Sequence, residues 1–162
     1  MNNQTYTSEQ LIEIAQGLAE RLPEISSESN CIHRQVGSLL YNVRQHRVIS
    51  TGTNKTPSEA SPCVITHSCT KHDTGKCPII HSEVNCILNC LKNCEPINNS
   101  EVIMVCTYSP CYECGKVIVS MGIQKFYYLY KHHRTDWNYL KYNGVELVQL
   151  EDINRREEIE EV

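Results

Sequence analysis

Apolar positions keep helical spacing at the start of the chain and change to strand spacing after it. Leu11, Ile14, Ala15, Leu18, Ala19 and Leu22 recur at intervals of three and four, which predicts an amphipathic helix. Thr7 and Gln10 occupy the two positions of a capping box, so the helix is expected to begin at Thr7-Ser8-Glu9-Gln10 and to close at Pro23. The polar residues 24–30 read as a linker, making 1–30 an N-terminal helix with its connection. Short β-branched and apolar runs at 36–41 and 48–51 flank the polar residues 42–47 and read as a hairpin. Residues 52–80, rich in Thr, Ser, Pro, Cys and His, show neither period, and a loop of that size needs a binding role or a metal staple.

Downstream, the pattern alternates between the two periods. Helical character at 81–94 places Val84, Ile87, Leu88 and Leu91 on adjoining faces, with Cys86, Cys90 and Cys94 along another as small buried apolar groups. Strands are expected at 102–107, 125–130 and 145–150, separated by helices at 111–121 and 136–143. The acidic residues 151–162 read as a terminal helix. Strands separated by helices require crossover connections, and hence an α/β fold whose partly parallel sheet is covered on both faces.

Composition narrows the class. At 162 residues the chain is one domain's worth of core, and a formal charge of −4 gives no broad surface for a polyanion, so long nucleic acid is not the expected partner. A small basic pocket for one phosphate stays compatible with that charge. No segment resembles a secretory leader and no apolar run is long enough to span a bilayer, so an intracellular, cytoplasmic protein with no membrane partner is expected. In a reducing compartment the ten cysteines point to metal binding or buried thiols in place of disulfides.

The chemistry concentrates at His81-Ser82-Glu83 and Pro110-Cys111-Tyr112-Glu113-Cys114. One histidine and two cysteines make three zinc ligands, His81, Cys111 and Cys114, and leave a fourth position for water, as a catalytic zinc requires. Placed at helix N-termini, the two cysteines are favoured as thiolates. Glu83, two residues beyond the histidine, stands where it can act as acid and base without binding the metal. H-x-E followed by P-C-x-x-C is the general signature of zinc nucleobase deaminases. A structural zinc knuckle is the competing reading, but it would recruit a fourth Cys or His and has no use for the carboxylate.

The similarity reaches beyond these motifs. Cys31, Gln35-Val36-Gly37, Val48-Ile49-Ser50-Thr51-Gly52, Asn54, Pro57, Cys63, Cys69, Cys77, His81-Ser82-Glu83-Val84-Asn85 and Ser109-Pro110-Cys111 with Cys114 resemble the deoxycytidylate (dCMP) deaminase family. The resemblance implies a three-layer α/β/α cytidine deaminase-like fold around a mixed sheet of about five strands, in one deaminase domain over 1–162. It implies hydrolysis of dCMP to dUMP and ammonia in pyrimidine deoxynucleotide metabolism, in a homo-oligomer such as a hexamer. It assigns the catalytic zinc to His81, Cys111 and Cys114 and proton transfer to Glu83. Asn54 becomes a sugar contact, Asn85 an orienting group for the nucleotide, Arg34 a phosphate partner and Tyr128 a residue flanking the pocket. Cys31, Cys63, Cys69 and Cys77 fall where relatives carry a second, structural zinc, with His72 or His67 as an alternate ligand.

Departures from the family pattern set further expectations. Gly52-Thr53-Asn54-Lys55 replaces the usual Gly-Tyr-Asn-Gly, and the bulk and charge of Lys55 argue against control by dCTP and dTTP. His132 stands where a second tyrosine is usual, and Ser82 where alanine is commoner. Two other functions stay open on the sequence: a deaminase of another cytosine substrate (cytidine or deoxycytidine, a modified dCMP, an RNA base) and a non-catalytic zinc-stabilised interaction module, against which the intact Glu83 speaks.

Overall fold

The computed structural model describes residues 5–69, 71, 75–97 and 101–152. Helix α1, Ser8–Ala19, opens with both halves of the capping box: Gln10 N donates to Thr7 Oγ1 at 3.2 Å and Thr7 N to Gln10 Oε1 at 2.9 Å. Its stripe of Leu11, Ala15 and Ala19 is buried. Pro23 does not close this helix. The chain turns after Ala19, and Pro23 instead lies in the first turn of a second helix, α2, Leu22–Ser27, where the missing N–H has no helical partner to lose. Part of the expected linker is therefore a packed helix, with Leu22 and Ile25 buried.

The hairpin forms as β1, Gly37–Asn42, and β2, Arg47–Thr53. Three further strands follow: β3, Val102–Tyr108, β4, Lys125–Tyr130, and β5, Glu146–Gln149. The sheet order is β2-β1-β3-β4-β5, with β1 antiparallel to both neighbours and β3, β4 and β5 mutually parallel. Helices α4, Ser82–Lys92, α5, Tyr112–Ser120, and α6, Trp137–Tyr142, pack over one core made by Leu40, Met104, Cys106, Phe126 and Tyr128 with Cys86, Ile87, Cys90, Ile118 and Leu140. Helices α1 and α2 cover the other, where Leu39, Val43, Ile103, Val105 and Tyr127 meet Leu11, Ala15, Leu22 and Ile25. The result is the three-layer α/β/α arrangement expected. Alternation along each strand decides which layer a side chain joins: Ile103 and Val105 go one way, Met104 and Cys106 the other.

Helix α4 sits unusually close to β2. A β-carbon on Gly52 would lie 2.3 Å from the Cys86 nitrogen and 2.6 Å from the Ser82 carbonyl oxygen, so only glycine permits this approach. The contact is stitched by Ser50 Oγ donating to the Cys86 carbonyl at 2.7 Å, and by Asn85 and Asn89 donating to the carbonyls of Thr53 and Thr51 at 2.8 and 2.9 Å. Asn85 and Asn89 stand one helical turn apart, matching the two-residue repeat of the strand beside them. β2 is a sheet edge, and these amides occupy acceptors that a foreign strand would otherwise seek.

The long loop is bounded by a bridge pairing Lys55 with Ile80, and its described residues include a short helix, α3, Pro62–Ile65. In the cysteine stripe of α4, Cys86 and Cys90 are buried as expected, but Cys94 is exposed, lying past the helix end at φ 56°. The expected helix at 151–162 does not start at 151: Glu151 and Asp152 are irregular, and Glu151 is gripped by the Gln16 amide through bonds of 2.7 and 3.1 Å. Residues 153–162 lie outside the described residues.

Candidate active site

His81 and Cys111 are the N-cap residues of α4 and α5, both in extended backbone, and Cys114 lies in the first turn of α5. β3 ends at Tyr108, so Ser109 and Pro110 carry the chain from the sheet directly into this corner. The His81 ring nitrogen Nδ1 lies 3.4 Å from Cys111 Sγ and 3.3 Å from Cys114 Sγ. A tetrahedral zinc with bonds of about 2.0 Å to nitrogen and about 2.3 Å to sulfur would separate such ligands by about 3.5 Å. The three donor atoms thus stand at the spacing the ion requires. Among the described residues no other group of three or more His, Cys, Asp or Glu side chains converges in this way.

The electrostatics of the corner favour a cation. Cys111 is held down to about 3, first by its hydrogen bond with Cys114 and, against burial, by His81. Cys114 is pushed up by the same pairing and by burial. The hydrogen bond with Cys111 raises His81, outweighing the effect of burial. Beside them Glu83 is 5% exposed, and burial pushes its carboxyl up, opposed by its own backbone N–H, His81 and the Ser82 hydroxyl. A carboxyl shifted in this direction moves toward the range where a group can both take and give a proton near neutrality.

The corner opens into a cavity of about 510 Å³. Its floor is His81, Ser82, Glu83 and Cys111, and its rim carries the cationic and imidazole side chains of His33, Arg34, Lys71, His132, His133 and Arg134. The Arg34 guanidinium lies over the Tyr108 ring, 4.9 Å from its centre, and Tyr108 in turn meets Tyr130 at 5.4 Å. The 132–134 turn is pinned to the site by His132 N donating to Ser109 Oγ at 2.8 Å and Tyr112 N donating to the Arg134 carbonyl at 3.0 Å.

Of the residues singled out in the sequence, Arg34 and Asn54 line this cavity with Glu83. Asn54 uses its amide on the chain itself, accepting from Val36 N at 2.8 Å and donating to the Arg34 carbonyl at 2.6 Å, and so anchors the segment that presents Arg34. Asn85 is not among the lining residues and ties α4 to Thr53 and Ile80. Tyr128 is a core residue, 4% exposed and tilted against Trp137 at 5.8 Å. Cys31, Cys63, Cys69 and Cys77 all border the cavity without their sulfurs gathering as tightly as the His81 set, His67 borders an adjoining hollow with Cys31 and Cys63, and His72 lies outside the described residues. Tyr108, His133 and Arg134 are cavity-lining residues the sequence did not single out. Their signal was positional: they follow parallel strands at the carboxyl ends, where open α/β sheets hold ligands.

A His-Cys-Cys donor set that would hold a metal, with a buried carboxyl lining the same cavity, on this α/β/α scaffold, defines a zinc-dependent hydrolytic deaminase. A family model described as the cytidine and deoxycytidylate deaminase zinc-binding region matches residues 7–130, and the chain belongs to that family. It is 30% identical over 143 residues to "ComE operon protein 2" of Bacillus subtilis, covering 83% of this chain and 73% of that protein. It is 34% identical over 111 residues to the deoxycytidylate deaminase of Schizosaccharomyces pombe, covering 64% of this chain but only 33% of the yeast protein. A crystal structure of dCMP deaminase from the cyanophage S-TIM5, in complex with dCMP and dUMP, superposes with a TM-score of 0.70 at 29% identity, covering 85% of this chain and 97% of that one.

Proposed function

We propose that this chain hydrolyses dCMP to dUMP and ammonia. The observation that carries the reading is the buried Glu83 carboxyl beside the His81, Cys111 and Cys114 donors on the floor of an open cavity. A zinc ion held by those three residues supplies Lewis acidity, which brings the acidity of water toward neutral pH. Glu83 takes the proton of the water that adds to the amidine carbon of the cytosine ring and delivers it to the adjacent ring nitrogen. It then takes the remaining proton of the added hydroxyl, which becomes the carbonyl, and passes it to the exocyclic amine as the carbon–nitrogen bond breaks and ammonia leaves. Both transfers use one carboxyl because it gains and loses the two protons of the water in turn.

The rim supplies the preference for a nucleotide. Arg34 is always charged and is braced by Tyr108, and with Arg134 it forms a cationic edge for the 5′-phosphate, flanked by the imidazoles of His132 and His133. The dCMP and dUMP bound by the cyanophage relative support the choice of a monophosphate. The same reading carries a second, structural zinc on Cys31, Cys63, Cys69 and Cys77, which would staple the loop at 52–80, and a homo-oligomeric assembly without control by dCTP and dTTP. Purified protein with zinc should release ammonia from dCMP and much less from deoxycytidine; equal rates would remove the phosphate claim. Glu83→Gln should lower kcat with zinc content unchanged, by on the order of the hundred- to ten-thousandfold that a positioned acid and base contributes. Metal analysis giving one zinc per chain instead of two would reject the loop site.

A further inference from the structure

From Ser82, on the floor of the cavity beside Glu83, a line of three buried polar groups that the reaction does not use directly runs into the sheet. Ser38 on β1 and Cys106 on β3 are direct register partners, and Ser82 is the first residue of α4. All three are 0% exposed. Ser82 Oγ lies 3.2 Å from Glu83 Oε2 and 2.7 Å from Ser38 Oγ, and Ser38 Oγ lies 3.0 Å from Cys106 Sγ.

Counting hydrogens fixes the direction of this line. The contacts need three hydrogens, and the two hydroxyls supply one each. When Glu83 is a carboxylate it can only accept, so the Ser82 hydrogen goes to Oε2. The Ser82 oxygen must then accept from Ser38, so the Cys106 thiol is the remaining donor, with Ser38 Oγ at 3.0 Å and Ser82 Oγ at 3.7 Å as its acceptors. Cys106 is able to donate because burial pushes it up to about 12, so it keeps its hydrogen throughout the working range.

We propose that Ser82 is a positioning residue for the proton-transfer carboxyl, and that the Cys106–Ser38–Ser82 line clamps Oε2 of Glu83 so that Oε1 alone exchanges protons with the substrate. The proposal rests on the reading of Glu83 as the proton carrier. It does not follow from the three-ligand signature, because nothing in a zinc corner requires a hydroxyl at this position. A carboxyl free to rotate about its last torsion would present either oxygen, and misalignment of the reacting atoms is felt in the rate and not in binding. A hydrogen bond to an ionised group is among the stronger kinds, enough for a tenfold effect or more when it holds the reactive geometry.

The test is made on the zinc-loaded protein. Ser82→Ala is expected to lower kcat for dCMP ten- to a hundredfold, with KM within about twofold and zinc content unchanged, the split that marks an interaction used in the transition state. In the same variant the Ser38 hydrogen turns to the sulfur, the thiol loses its acceptor, and the Cys106 S–H stretching band moves to higher frequency. That band is isolated by subtracting the infrared spectrum of Cys106→Ser. Should Ser82→Ala fail to fold, Cys106→Ser, which keeps a donor, must exceed Cys106→Ala in kcat by at least threefold. Wild-type kcat in Ser82→Ala, equal kcat in the two Cys106 variants, or an unmoved S–H band would each overturn the clamp. A wild-type protein that turns over no cytosine compound would instead refute the deaminase reading, and the band shift would still decide the clamp.

Discussion

At the scale of single residues, the site contrasts groups whose role follows from chemistry along the chain with groups whose role follows from where the chain returns. His81, Cys111 and Cys114 were legible as metal ligands because each stands in a short motif at a helix start, although the fold alone brings the histidine to the cysteines. Arg34 is a different case, since its contact with Tyr108 joins residues 74 positions apart by the numbering and depends on the hairpin lying against β3. Replacing Arg34 with Ala should raise KM for dCMP about tenfold or more while leaving deoxycytidine turnover little changed, as loss of a charge-assisted contact to phosphate predicts. Steady-state kinetics on the two substrates checks it, and an equal effect on both would remove Arg34 from phosphate recognition. The metal corner carries its own pH prediction. His81 is raised by its hydrogen bond with Cys111, so at any given pH it holds more proton than a free histidine, and protons compete with zinc for the same nitrogen. Zinc affinity should therefore weaken as pH falls from 8 to 6, measured by competition with a chromogenic chelator; affinity independent of pH would contradict this.

Among the elements, α4 matters most, because it brings both His81 and Glu83 to the cavity and is seated by its contact with β2. Gly52→Ala would drive a β-carbon into the Cys86 backbone, and backbone cannot step aside as a side-chain tip can. The expected cost is at the upper end of about 1–3 kcal/mol, read from the denaturant midpoint, with activity falling further than stability because α4 shifts. A variant as stable and active as the parent would show that the helix seat is loose. The helix itself was readable from its apolar period, but the seat was not, since the sequence records a glycine in a strand without saying what approaches it. Pro23 was misread for a related reason. Proline stops a helix from within yet suits the first turn of a new one, and only the burial of Leu22 and Ile25 decides between the two.

For the whole molecule, alternation of strands and helices was enough to imply a parallel half-sheet, whereas the insertion of β1 between β2 and β3 was not, because a hairpin's outer partner is chosen by tertiary burial. The order has a mechanical effect on the site. His81 comes before β3 and the cysteines after it, so the three donors meet only when β3 is in place between β1 and β4. Zinc bound there stabilises the folded chain over the unfolded one. Chelation should lower the thermal midpoint and abolish turnover together, and stoichiometric zinc should restore both; a midpoint indifferent to the metal would mean that the donors converge without it.

The stitching of β2 by Asn85 and Asn89 has a consequence for quality control. The helix that carries Glu83 is also the helix that keeps a sheet edge from recruiting a stray strand. A molecule in which α4 has come away is inactive and, by the same displacement, has bared that edge. Loss of turnover and onset of aggregation should accordingly rise in step across variants of the α4 seat, so that light scattering during storage would report on the catalytic corner.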